Sequence, residues 1–162
     1  MPKAAAVERP TIGWREWIRL PELGDAIVKA KVDTGARTST LHAFDISERE
    51  RDGEVRVAFS YHPTQRDEVL TVHAEAPLVD RRTVTASNGQ SELRYVVATE
   101  VVIDDEPIPI ELTLTRRDAM GFRMLLGRRA LRGRYVVDPK RSFRAGVSKR
   151  VRREARKERL GR

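Results

Sequence analysis

Ala26-Ile27-Val28-Lys29-Ala30-Lys31-Val32-Asp33-Thr34-Gly35-Ala36 is the stretch on which the reading of this chain turns. Ala26, Val28, Ala30 and Val32 alternate with their neighbours, the period-two pattern of a half-buried strand. The strand runs directly into Asp33 on a tight Thr-Gly turn. Gly35 permits close backbone approach, and the Thr34 hydroxyl is a candidate to lock the turn. A carboxylate fixed at a strand end gains catalytic power beside a second one, because the two share a proton and activate a water. Asp, Thr and Gly are also ordinary turn formers, so the triplet by itself reads equally well as a plain turn.

A second stretch, Phe122-Arg123-Met124-Leu125-Leu126-Gly127-Arg128-Arg129-Ala130-Leu131, reads as an apolar strand, a glycine and a short helical turn. Taken with Val32-Asp33-Thr34-Gly35-Ala36, it resembles the retropepsin-like aspartic peptidases. In that group an Asp-Thr-Gly-Ala loop sits in the first half and a Leu-Leu-Gly-Arg strand-to-helix step closes the second. The similarity is closer to a bacterial branch often labelled ATP-dependent zinc proteases and associated with RimK-type ATP-grasp ligases, which add amino acids to protein or peptide tails. The resembling residues run from about Ala26 to Pro139.

The resemblance implies an all-β, closed or partly closed barrel with one short helix. It implies Asp33 as the catalytic carboxylate, supported by Thr34, Gly35, Ala36, Leu126, Gly127 and Arg128. The motif occurs once, with no internal repeat, so the paired chemistry requires a homodimer with one Asp33 from each copy at a two-fold axis. Ser87-Asn88-Gly89 carries an Asn-Gly hairpin signal where a retropepsin flap is expected, although an ordinary hairpin has the same signature. No cofactor is implied. Retroviral enzymes pair the arginine of the Leu-Leu-Gly-Arg step with an acid shortly after the catalytic loop. Here Arg37, Thr38, Ser39 and Thr40 follow, so Arg128 is expected to find another partner. Arg37, Arg116, Arg117 and Arg128, if gathered at a cleft, would suit an acidic or glutamate-rich peptide. Separate solvated arginines are the alternative.

The remaining pattern is that of short strands. Alternation marks residues 55–59, 93–103 and 108–114, with turns at Asp52-Gly53 and Asp104-Asp105-Glu106. Pro107 and Pro109 suggest an edge strand. Residues 128–132 read as the short helix, stopped by Gly133, and Tyr135-Val136-Val137 as a last strand. The segment between Phe44 and Arg82 is longer than in the viral enzymes and is expected to add strands or a loop.

Other chemistries find little support in the residues. His42, His62 and His73 lack metal-ligand spacing, and no G-x-x-x-x-G-K-[ST] loop is present. Ser39, His42 and Asp45 bring nucleophile, base and acid close in sequence without a G-x-S-x-G elbow. They read instead as the continuation of the chain after the catalytic loop.

At 162 residues the chain suits one domain. It contains no cysteine, which leaves no disulfide framework. The first residues lack a secretory apolar core, and no run approaches the ~20 apolar residues of a membrane span. A cytoplasmic protein is the expectation. Charge is uneven: residues 140–162 hold eleven Lys and Arg against Glu154 and Glu158, a net of +9, whereas residues 1–139 sum to −1. The chain thus divides into a flexible start over 1–10, a barrel over 11–139 and a basic tail over 140–162, helical or disordered, with Ser148 as a candidate helix cap. Such a tail neutralises phosphates without sequence specificity. RNA, the ribosome and an acidic protein are its candidate partners, and a silent binding module is the alternative to a peptidase.

Overall fold

The computed structural model describes residues 8–64, 68–85, 87–116, 121–145 and 149–160. In chain order the first strands are β1 (Thr11–Gly13), β2 (Arg15–Leu20), β3 (Ala26–Asp33), β4 (Ser39–His42), β5 (Phe44–Arg51) and β6 (Glu54–Tyr61). Then follow β7 (Val72–Thr85), β8 (Ser91–Ile103), β9 (Glu106–Thr115), β10 (Met124–Gly127), helix α1 (Arg128–Leu131), β11 (Val136–Asp138) and helix α2 (Lys149–Leu160). Six strands close into a barrel in the order β2-β3-β10-β4-β9-β8, and β8 returns to β2 where Arg19 faces Val102. The fold is the all-β barrel that the resemblance implies, with α1 one residue shorter than the sequence suggests.

The alternation that marks β3 is the alternation that fills the barrel. Ala26, Val28, Ala30 and Val32 are all buried, as are Ile18 and Leu20 of the paired β2. Leu41, Val97, Val101, Leu112, Leu114, Met124 and Leu126 complete the core from the other strands. Two hairpins use the turns expected for them. Asp52 and Gly53 have φ of 54° and 78°, and Asp104 and Asp105 of 51° and 61°. Two successive left-handed residues match the right-handed twist of the flanking strands.

The longer segment after Phe44 becomes β5, β6 and the first part of β7, which carry the sheet past the barrel in the order β8-β7-β6-β5. The prolines need a correction. β9 is not an edge strand, since Leu112–Thr115 pair with β4 on one side while β8 runs along the other. Pro107 and Pro109 sit in the half of β9 that β4 does not reach, where a missing N–H breaks no ladder.

Contacts with the barrel continue beyond Pro139. The Trp14 N–H donates to Arg141 O (2.9 Å), and the Phe143 N–H donates to Arg15 O (2.9 Å). The carboxylate of Glu16, fully buried, accepts from the N–H groups of Gly13 (2.7 Å), Arg144 (2.8 Å) and Ala145 (3.0 Å). A Cβ on Gly13 would lie 2.3 Å from Arg141 O, so only glycine admits this crossing. The basic tail is helical over α2, whose half-buried face includes Val151, Arg152, Ala155 and Arg156 among the described side chains. The Arg152 guanidinium lies 4.0 Å from the Trp17 ring centroid, so an arginine takes the place of an apolar residue at the contact. No helix among the described residues is long and apolar enough to cross a membrane.

Candidate active site

Asp33 is the last residue of β3 and lies beside Gly127, the last residue of the parallel strand β10. Its Oδ1 accepts the Gly35 N–H at 3.1 Å, and the Ala36 N–H donates to Asp33 O at 3.2 Å. The turn is therefore closed by the carboxylate itself. The Thr34 hydroxyl does not lock it: Thr34 is exposed and its side chain has no hydrogen-bond partner among the described residues. The other carboxylate oxygen, Oδ2, also lacks a hydrogen-bond partner among the described residues, and Asp33 is only half-buried.

The second motif locks onto the first. The Arg128 N–H donates to Ala36 O (2.8 Å) and the Arg129 N–H to Arg37 O (3.2 Å). Arg128 Nη1 donates to Gly35 O at 3.1 Å, so the guanidinium binds the Asp33 turn directly and not through an acid. Gly127 is needed for sterics: a Cβ there would sit 2.4 Å from Thr38 O. Its N–H donates to Ser39 Oγ at 3.0 Å, a buried bond. Leu126 is fully buried beneath the step. Two motifs some ninety residues apart thus form one rigid interlock, whose outer face presents Asp33, Thr34 and Gly35.

The arginines are only partly gathered. Arg37 is exposed and adjoins Arg128 and Arg129 through the backbone bonds above. Arg129 reaches Glu111 at 3.9 Å. Arg116 is not with them. It follows the far end of β9, beyond the His42–Thr115 pair, about 13 Å along the strand from the Ser39–Leu112 pair. There its N–H donates to Glu92 Oε1 (3.0 Å) and its carbonyl accepts from His42 Nε2 (3.1 Å). Arg117 lies outside the described residues, as do residues 1–7 and Ser148. Ser87, Asn88 and Gly89 do form the exposed tip of the long β7–β8 hairpin, with Gly89 at φ 85°. The Gln90 N–H donates to Asn88 Oδ1 at 3.0 Å.

Ser39, His42 and Asp45 do not assemble. Ser39 is occupied with Gly127, His42 lies between Arg116 O and Arg123, and Asp45 is exposed at a left-handed kink where β5 slips register. For the zinc of the branch's label, the described residues gather no matching donor set. His62 Nδ1 bonds Leu70 O (3.0 Å), His73 Nδ1 bonds Ser60 Oγ (2.7 Å), and no three His, Asp or Glu among the described residues converge. Residues that the sequence reading passes over are Ser39 as the anchor of Gly127, and Glu16. A lone serine or glutamate in a strand carries no periodic signal, and only the partner it meets in space shows its role.

A sequence model of the RimB-like family, described as the retropepsin-like aspartic endopeptidase RimB, matches residues 11–147. The chain belongs to this family. The match ends just past Ala145, where the Glu16 clamp ends. The chain is also 47% identical over 135 residues to a protein of Parasynechococcus marenigrum named probable alpha-L-glutamate ligase, covering 83% of this chain and 29% of that one. A protein of Shewanella pealeana with the same name is 47% identical over 132 residues, with 82% and 29% covered. The chain thus spans under a third of the length of these relatives. Among solved structures, a Legionella pneumophila protein of unknown function superposes with a TM-score of 0.70 at 26% identity, covering 84% of this chain and 98% of that one.

Proposed function

We propose that this member of the family is an aspartic-type peptidase, working as a homodimer in which the Asp33 turns of two copies meet. The observation that carries this reading is the Asp33 turn itself, one per chain. Gly35 and Arg128 hold it rigid, and Asp33 Oδ2 has no hydrogen-bond partner among the described residues. In the dimer one carboxylate takes the proton of a water as the other donates to the scissile carbonyl oxygen, and the roles reverse as the amine leaves. The Asn88-Gly89 hairpin serves as the flap, excluding water while the peptide is clamped.

The substrate is an acidic, glutamate-containing peptide or protein tail. Support comes from Arg37, exposed beside the interlock, and from the glutamate-ligase name of relatives that contain a region like this chain. The same names support a functional link to an amino-acid ligase, which by the family resemblance would be of the ATP-grasp type and act with this chain in the cytoplasm. The exposed Arg153 and Lys157 of α2 also suit RNA, the ribosome or an acidic protein.

The test is hydrolysis of an oligoglutamate-tailed peptide by the wild type and by Asp33→Asn, with assembly measured by sedimentation. The amide cannot relay a proton, so the variant should keep its fold and dimer yet lose at least about a thousandfold in rate. The wild-type rate should be higher in mildly acidic than in alkaline solution. Undiminished hydrolysis by Asp33→Asn, or a species that stays monomeric with substrate present, overturns the proposal.

A further inference from the structure

A pocket of about 320 Å³ opens where α2 crosses the outer face of the β2–β3 hairpin. Trp17, Ile27 and Leu70 give it apolar walls, while Arg152, Arg153 and Arg156 line it from the helix, and no acidic residue lines it among the described residues. Arg156 is engaged, with its Nη1 donating to Thr64 Oγ1 at 3.0 Å. Arg152 differs. Its guanidinium is stacked on Trp17, which Phe143 also stacks against at 5.8 Å, and its Nε is buried with no hydrogen-bond partner among the described residues. Burial draws its pKa below the usual arginine range. A guanidinium fixed on an aromatic face, with an unmet N–H and no charged groups but cations among the described residues lining the pocket, calls for an anion.

We propose that this pocket binds a small carboxylate with an apolar body. The carboxylate meets the Arg152 guanidinium from the pocket side, and the apolar part lies against Ile27 and Leu70. The guanidinium edge matches a planar carboxylate in geometry. A more highly charged phosphate would lose more hydration against these apolar walls. The volume is at the lower end of small-ligand sites, which run from about 300 to 1,000 Å³. Because one wall is barrel and the other is helix, an occupant ties α2 to the barrel. The site is built on β2, β3 and α2, apart from the Asp33 turn, and owes nothing to the peptidase reading.

The full chain is titrated with octanoate, with octanol and with a short peptide ending in a free leucine carboxylate, following the Trp17 indole resonance. Octanoate should bind saturably and at least tenfold more tightly than octanol, which shares the apolar body but lacks the charge. It should also slow tryptic cleavage within α2 several-fold. Arg152→Lys, which keeps the charge and most of the stem but removes the fork, should weaken octanoate at least tenfold with an unchanged far-ultraviolet spectrum. Equal or tighter binding of the leucine peptide assigns the site to a chain terminus, and weaker binding assigns it to a free acid. Equal affinity for octanoate and octanol, no saturation by millimolar concentrations, or undiminished binding by Arg152→Lys overturns the proposal.

Discussion

Replacing Gly127 by alanine tests the interlock that positions Asp33. The added Cβ would lie 2.4 Å from Thr38 O and 2.5 Å from Thr38 C, both backbone atoms. Ordinary contact begins near 3.4 Å, so the chain entering β4 must retreat by about 1 Å. Alanine adopts the local backbone angles, φ −81° and ψ 165°, without strain, so the cost is steric. Overpacking of this kind costs about 1–3 kcal/mol. Stretching the buried Gly127–Ser39 bond adds about 1 kcal/mol. The expected loss is therefore about 2–4 kcal/mol. With a urea slope of about 2 kcal/mol per molar, the midpoint should fall by roughly 1–2 M, followed by the fluorescence of Trp14 and Trp17. Gly53→Ala is the control. Gly53 has φ +78° and nothing within 4 Å of its would-be Cβ, so only the left-handed conformation is penalised, by about 1 kcal/mol. A Gly127→Ala loss under about 0.5 kcal/mol, or one no larger than that of Gly53→Ala, would refute the packing of Gly127 on Thr38.

Three further outcomes follow from particular contacts. Glu16→Gln should destabilise the fold by about 2 kcal/mol or more, because a charged acceptor of three backbone N–H groups becomes an amide with one acceptor oxygen. Hydrogen exchange at the Arg144 and Ala145 amides should accelerate with it, and unchanged exchange would mean that the clamp does not hold this segment. Tyr135 concerns alkaline stability. Burial, and then the charges of Glu106 and Asp104, raise its pKa above the ordinary 10.0, so the unfolded phenol ionises first and stability is lost as pH rises through the folded value. Tyr135→Phe should lose about 1 kcal/mol at neutral pH with its bond to Ile103 O, yet decline less steeply than the wild type above about pH 10; parallel declines would refute this. Deleting residues 149–162 should leave the barrel folded, expose Trp17 and red-shift its emission. It should also weaken RNA binding and flatten its salt dependence, and an unfolded product would mark α2 as part of the barrel's core support.

Local sequence determined those features whose physics is local. A period of two placed Ala26, Val28, Ala30 and Val32 inside before any partner strand was known, because side chains alternate across a pleat. Asp52-Gly53 and Asp104-Asp105 fixed two hairpins, since few residues tolerate the left-handed turn that a twisted pair requires. The Asp33 and Gly127 motifs were legible as short patterns. Their interlock was not, because it depends on bonds between residues some ninety positions apart, such as Arg128 to Gly35. The prolines of β9 misled for the same reason: a strand can be central along one half and open along the other, and only pairing with β4 reveals which. Only the tertiary structure put Arg116 apart from Arg37, gave Arg128 a carbonyl in place of an acid, and set Ser39 against Gly127. It alone bound the start of the basic tail to Glu16 and laid Arg152 over Trp17. Charge patterning read that tail as helical or disordered and suited to phosphates, whereas its arginine stems and guanidinium faces pack as apolar groups do once an aromatic surface is brought beside them.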